Sequence, residues 1–311
     1  MEKTLVLGAS GGMGYSIVKE LSNRGIAVTA FARTKGKLEK LFGHDRNVTI
    51  YAGDIFNLED LKQAAAGVDV IFQSANIPYI EWEEKLLPFM RNIVQVAKDN
   101  SSRLAIVENI YSYGRSAETK VLETSIKNPH TKKGKIRLQV EDFVKNSGVE
   151  ALIAHFPDFY GPNAENTILH YTLKNIVDNK KSGYVGNQKI AKEFIFTPDG
   201  AKAIVHLAMK EEAYGQNWNI PGYDVISGEE LVGVLREVTG YQKSVSTISK
   251  NMIRFMGLFN ANMREVVEMF YLNEEPVILS GVKYESMIGP LPKTPYKQGL
   301  HETIEYMRKN G

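Results

Sequence analysis

The stretch Thr4-Leu5-Val6-Leu7-Gly8-Ala9-Ser10-Gly11-Gly12-Met13-Gly14-Tyr15-Ser16-Ile17-Val18 decides the fold. A short apolar run predicts a strand, and three glycines spaced three apart follow it. The next segment predicts a helix over Met13–Arg24, with Ile17, Val18 and Leu21 on one face and Lys19, Glu20 and Arg24 elsewhere. Strand, glycine turn and helix in that order form a phosphate cradle. Gly8 permits a tight turn, Gly11 lets the backbone approach a pyrophosphate, and Gly14 lets the helix sit near the strand. The helix N-terminus then offers free N–H groups to the anion. A merely flexible loop would not need the flanking strand and helix. Gly8, Ser10, Gly11, Gly12, Met13 and Gly14 are therefore the first candidate cofactor-binding residues.

Working outward, the same rhythm recurs. Strands are predicted at Thr4–Leu7, Ala27–Ala32, Val48–Ala52, Val68–Gln73, Arg103–Glu108 and Ala151–His155. They are continuous apolar runs rather than alternating ones, as in a parallel sheet buried on both faces. Helices are predicted between them at Lys35–Phe42, Asn57–Ala66, Glu81–Asp99 and Lys132–Asn146. The alternation predicts an α/β fold, a Rossmann-type doubly wound parallel sheet. After Pro162 the rhythm becomes irregular. The expected division is a dinucleotide-binding domain over 1–162 and a smaller α+β substrate lobe over 163–311, with about 192–220 returning to the first domain.

Composition narrows the function classes. Among 311 residues, 43% are hydrophobic, 24% are charged and none is Cys. That removes disorder, structural disulfides, thiolate metal sites and a Cys nucleophile. Lys and Arg total 38 against 36 for Asp and Glu. A balance that close gives no whole-chain case for nucleic acid or membrane as a partner. No targeting segment or run of ~20 apolar residues is visible, so a cytoplasmic protein is expected. No His pair has zinc spacing and no Gly-x-Ser-x-Gly elbow is present, so neither a metal nor a hydrolase triad is expected.

The Gly-x-x-Gly-x-x-Gly spacing resembles the short-chain dehydrogenase/reductase superfamily, especially its extended and atypical members in the NAD-dependent epimerase/dehydratase family. Further segments carry the resemblance along nearly the whole chain. Gly53-Asp54-Ile55 looks like the family's adenine-contacting segment, and Ser74-Ala75-Asn76 sits where the fourth strand meets the cofactor ribose. Tyr111-Ser112-Tyr113-Gly114 resembles its aromatic-Tyr-Gly turn. Phe156-Pro157-Asp158-Phe159-Tyr160-Gly161-Pro162 resembles its Arg-Pro-x-x-x-Tyr-Gly-Pro segment near the nicotinamide. Thr197-Pro198-Asp199-Gly200-Ala201 resembles its Val-x-Asp-x-Ala helix start. The resemblance implies cofactor contacts from Asp54, Ile55, Ser74, Ala75, Asn76, Pro157 and Phe159.

NADP is expected, with NAD as the alternative. An NAD site places an acid at the end of the second strand, where it binds the ribose 2′-hydroxyl. Here that stretch reads Ala32-Arg33-Thr34-Lys35. Arg33 suits a 2′-phosphate because its planar fork makes two bonds to phosphate, with Lys35 or Lys37 assisting.

The resemblance also implies a catalytic Tyr-x-x-x-Lys at a helix start and a Ser near the Tyr-Gly turn. In that arrangement the Lys lowers the Tyr pKa and holds the ribose. Lys135 fits the Lys position, but Thr131 then stands at the Tyr position and Asn109 at the Ser position. A Thr hydroxyl is a poor proton shuttle near neutrality. The tentative catalytic set is therefore Lys135 with Tyr113 or Tyr111. The rest of the basic cluster, Lys132, Lys133 and Arg137, is expected to be a solvated helix face. Tyr79, Trp82, Tyr160, Asn166 and His170 border the crevice and are candidate substrate residues, with core packing as the competing role for each. The expected activity is an NADP-dependent oxidoreductase or epimerase-like enzyme on a small carbonyl, hydroxyl or sugar-nucleotide substrate, as monomer or homodimer. The alternative is a non-catalytic NADP-binding redox sensor or regulatory module.

Overall fold

The six apolar runs of the first half are β1 (Lys3–Leu7), β2 (Ala27–Ala32), β3 (Val48–Ala52), β4 (Val70–Gln73), β5 (Arg103–Asn109) and β6 (Ala151–Phe156). Their crossovers carry α1 (Gly12–Asn23), α2 (Lys35–Phe42), α3 (Leu58–Ala64), α4 (Leu87–Asp99) and α5 (Lys132–Lys145). These come from a computed structural model that describes residues 1–310. The chain continues through β7 (Asp158–Tyr160), α6 (Ile168–Val177), β8 (Ser182–Val185), β9 (Lys192–Phe196), α7 (Thr197–Ala208), β10 (Asn217–Asn219), β11 (Val225–Ile226), α8 (Gly228–Thr239), β12 (Val245–Ile248), α9 (Lys250–Gly257), α10 (Ala261–Val266), α11 (Val282–Met287) and α12 (Tyr296–Asn310).

The main sheet has the order β10-β6-β5-β4-β1-β2-β3 and every neighbouring pair is parallel. Parallel strands need crossovers, and those helices cover both faces. β1 shows how the sequence serves two cores at once: Leu5 and Leu7 enter the core under α4 and α5, and Val6 enters the core under α1 and α7. Each such buried aliphatic side chain contributes about 1.5–3 kcal/mol. The strand order reverses between β1 and β4, and ligands bind at such a switch point beyond the strand carboxyl ends.

One predicted helix differs. Instead of running from Glu81, α4 begins at Leu87, preceded by a 3₁₀ turn at Tyr79–Glu81 and a widened turn at Trp82–Leu86. Pro88 lies in the first turn of α4 and has no N–H to bond the preceding turn. β7, β9 and β11 form a small sheet, and β8 pairs with β12. A capping box starts α8: the Ser227 hydroxyl accepts from Glu230 N at 3.2 Å, and Glu230 accepts from Ser227 N at 2.9 Å.

Candidate active site

The glycine loop is built by close backbone approach. Gly8 has φ +78°, and a Cβ there would meet Ala75 Cα at 2.6 Å. A Cβ on Gly14 would fall 2.2 Å from Gly8 O and 2.7 Å from Ser74 Oγ. Ser74 Oγ itself donates to Leu7 O at 2.7 Å, which ties β4 to the loop. Gly11 is different: it is exposed, and its Cβ would touch only Gly8 O at 3.4 Å. Beyond its own sequence neighbours, no other atom of the chain lies within 4 Å of that position. The Gly11 cap makes no side-chain bond and the first turn of α1 holds no acid, so the helix N–H groups are free to face an anion.

Around this loop, Arg33 is exposed and makes no ion pair among the described residues. Lys37, expected beside it, instead pairs with Glu165 at 3.0 Å. Both partners are largely exposed, and such a pair is worth only about 0–1 kcal/mol. Asp54 Oδ1 accepts from Phe56 N at 3.0 Å, which fixes the turn after β3, while Ile55 is buried in the core. Asn163 Nδ2 donates to Ser10 O at 3.0 Å, and Ala164 packs on Gly12, so the segment after β7 crosses the glycine loop. Pro157 is buried there, and Phe159 is half-buried against Phe156.

Past the carboxyl ends of β4 and β5 lies a pair of phenols. Tyr79 and Tyr111 place their hydroxyls 2.7 Å apart. Burial raises both, Tyr111 well above the ordinary tyrosine range; nearby Asp158 raises them further and Arg137 opposes. Both phenols are therefore protonated at neutral pH. Arg137 lies 4.1 Å over the Trp82 ring, donates to Asn76 Oδ1 at 3.0 Å and pairs with the buried Glu108 at 3.3 Å. Its Nε is buried without a partner. Lys133 is also buried, 2.5 Å from Glu265 and 2.7 Å from Glu268. Glu268 additionally accepts from Lys132 N at 2.9 Å at the start of α5. On the lobe side, Lys192 Nζ donates to Asn273 Oδ1 at 2.7 Å, with Asp158 at 3.5 Å. Burial lowers the Lys192 pKa and Asp158 partly restores it.

This geometry revises several expectations. Lys135 is exposed, whereas Lys133 and Arg137 are buried. The reason is helical phase: Arg137, Val140, Glu141 and Val144 form the inward face, and Lys133 is one turn before Arg137. Tyr113 is also turned away, because its hydroxyl donates to Asn219 Oδ1 at 2.7 Å deep in the sheet. Trp82 is buried, its indole bonded to Ile77 O at 2.9 Å, so it supports Arg137 rather than facing a substrate directly. Tyr160 is buried between Phe196 and Tyr296. Asn166 is exposed. His170 lines a separate cavity of about 330 Å³ between α6 and α12 that neither Tyr79, Tyr111 nor Arg137 lines. The sequence reading missed Lys133, Arg137, Asp158 and Lys192. Helical phase would have found the first two; the others are joined only by tertiary packing.

The chain belongs to the NAD(P)H-binding family, whose sequence profile matches residues 8–193. The photosystem II assembly factor Ycf39 of Synechocystis is 23% identical, over 83% of this chain and 74% of that protein. A UDP-N-acetyl-alpha-D-glucosaminuronate decarboxylase of Bacillus cytotoxicus is 22% identical, over 99% of this chain and 98% of that one. Among solved structures, the dTDP-glucose 4,6-dehydratase of Bacillus anthracis in complex with NAD superposes with a TM-score of 0.82 at 17% identity, covering 100% of this chain and 97% of that one. The fold is thus that of the NAD-dependent epimerases and dehydratases, and the protein is NAD(P)-binding.

Proposed function

We propose that the protein is an NADP-dependent oxidoreductase or epimerase-like enzyme acting on a small carbonyl or hydroxyl substrate, with a sugar nucleotide as the leading class. The observation that carries this reading is the Tyr79–Tyr111 hydroxyl pair beside Arg137, at the carboxyl ends of the strands next to the glycine loop. Residues 1–162 would hold the dinucleotide through Gly8–Gly14, Arg33, Asp54 and Ser74–Asn76, and 163–311 would shape the substrate side.

A nicotinamide bound there supplies hydride chemistry at carbon. The chain's own groups handle the oxygen. In a pair of hydroxyls one proton bridges the two oxygens and the other remains free to donate. With both phenols protonated, Tyr111 or Tyr79 donates to a substrate oxygen and polarises it, as a neutral acid of raised pKa can. The Arg137 guanidinium keeps a fixed cation beside developing negative charge, the part assigned to Lys in the family pattern. Its alignment with Lys133 reproduces the four-residue spacing of Tyr-x-x-x-Lys, with the phenol supplied from the adjacent turn.

The test is calorimetric titration with NADP and NAD, followed by an NADPH-oxidation assay over a carbonyl panel. Arg33→Ala should weaken NADP about ten- to a hundredfold and leave NAD unchanged. Equal affinities in the parent chain would remove the NADP assignment. A second reading, a non-catalytic NADP-binding module, draws support from the relative named as an assembly factor rather than an enzyme. Tight NADP binding without turnover across the panel would favour it.

A further inference from the structure

α9 turns an apolar face to solvent. Met252, Phe255, Met256, Leu258 and Phe259 are 48, 65, 46, 72 and 81% exposed. They are five of the fifteen large apolar side chains exposed among the described residues, gathered within eight positions. Met252, Phe255 and Met256 recur at i, i+3 and i+4 of α9, so they share one side, and Leu258 and Phe259 follow in the turn that ends it, while Ile253 and Gly257 are buried against the protein. Exposed apolar residues scattered singly need no account, but a contiguous face does.

The stretch of sequence that carries that face is cationic, although Glu274 of a packed neighbouring segment pairs with Lys250. Between Glu237 and Glu265 the sequence contains no Asp or Glu, yet it contains Lys243, Lys250, Arg254 and Arg264. Lys250 has a partly exposed partner in Glu274 at 3.2 Å, and Arg254 and Arg264 make no ion pair among the described residues. In a chain of formal charge +2 this is a local cationic segment.

We propose that α9 and the following Leu258–Phe259 dock on an anionic lipid surface. The Phe and Met side chains would enter the boundary between headgroups and acyl chains, with Lys and Arg in the headgroup layer. Charge selects this occupant over a second copy, because a two-fold pairing would bring the same cations together. The association lies on the surface: no helix among the described residues is long and apolar enough to cross a membrane. It amends the expectation of no membrane partner, which rested on whole-chain charge and on the absence of a long apolar run. The segment also leads into α10, which packs on Tyr79–Glu81 and carries Glu265, the partner of Lys133.

The experiment is flotation of the full chain with vesicles of phosphatidylcholine alone and of phosphatidylcholine with about 30 mol % phosphatidylserine. The chain should float with the anionic vesicles, less so as salt rises, and remain behind with the neutral ones. Phe255→Ser/Phe259→Ser should lower the bound fraction at least about tenfold. Lys250→Glu/Arg254→Glu should abolish the preference for phosphatidylserine. Phe255, Phe259 and Arg254 are exposed and Lys250 is half-buried beside Glu274, so the melting temperature of each variant is measured as well, and an unchanged value shows that it remains folded. Failure to float with either vesicle overturns the proposal. So does a dimer in light scattering that the double Phe variant breaks, which would assign the face to self-association. Neither result bears on NADP binding or turnover, which are measured without lipid.

Discussion

Tyr111 and Tyr113 sit two residues apart in one turn, yet their hydroxyls enter two different buried polar clusters. Both clusters are organised by α5. Around Tyr113 every charged side chain has an opposite partner, although His155 Nδ1 and Asn217 Oδ1 are buried without one. Its hydroxyl is bonded to Asn219, and Lys127 lies 4.7 Å over its ring. One oxygen of Glu141 meets Lys127 at 2.5 Å and His155 at 3.2 Å; the other meets Lys145 at 2.7 Å and Asn217 at 2.8 Å. Around Tyr111 the accounts stay open. The two phenols are bonded to each other, Arg137 Nε has no partner, and the acids facing Lys133 are partly exposed. Burial and ionisable groups are common to both clusters. Each also keeps buried polar atoms without a partner; the difference lies in exposure, since Glu265 and Glu268 reach solvent and Glu141 does not.

The largest effect should come from the closed cluster. Glu141→Ala strands Lys127 beneath the sheet and should cost about 3–5 kcal/mol in denaturant unfolding. A loss below about 1 kcal/mol would mean that the inner cluster is as open as the crevice. Next, Tyr111→Phe should lower kcat about 10²–10⁴-fold. Tyr113→Phe should leave kcat within about twofold and cost about 1 kcal/mol of stability from the lost bond to Asn219. Equal losses of kcat would erase the distinction between the two tyrosines.

The pH dependence sharpens the comparison further. In the closed cluster, burial and then Lys127 lower His155 from 6.5 to about 4. The unfolded chain therefore binds the extra proton between those values, and the His155 contribution rises from about pH 4 to pH 6.5 and is flat above. Glu193, on β9, has the opposite sign. Burial raises it from 4.5 to about 7, so the folded chain binds the extra proton and stability falls as pH rises through that window. Melting curves of Glu193→Gln should lack that fall while keeping the rise below pH 6.5. Glu268→Ala removes one of two partners of the buried Lys133 and the acceptor for Lys132 N, and with Glu265 still 2.5 Å from Lys133 it should cost about 1–2 kcal/mol, well below Glu141→Ala.

The sequence was legible where backbone geometry carries the function. Gly8, Gly11 and Gly14 announce a loop whose close approaches exclude side chains, and the β-branched runs announce buried parallel strands. It was less legible where side chains from distant segments meet. Lys133 and Lys135 are equivalent as letters, and only the phase set by Val140 and Val144 separates them. Asp158 and Lys192 are joined by the pairing of β7 with β9, which no local spacing records. The basic cluster read as solvated was half buried because Glu265 and Glu268 arrive from more than a hundred positions later.

β10 also has a consequence for how the chain is made. The seventh strand of the main sheet lies at Asn217–Asn219, and α7 at Thr197–Ala208 covers α1. During synthesis from the N-terminus, β6 therefore emerges with a bare edge, and the glycine-loop helix with a bare flank, until much of the second half has left the ribosome. Such edges invite pairing with other chains. A fragment ending at Pro162 should aggregate rather than behave as a portable dinucleotide-binding module, and a useful dissection of this protein would keep residues 192–220 with the first half.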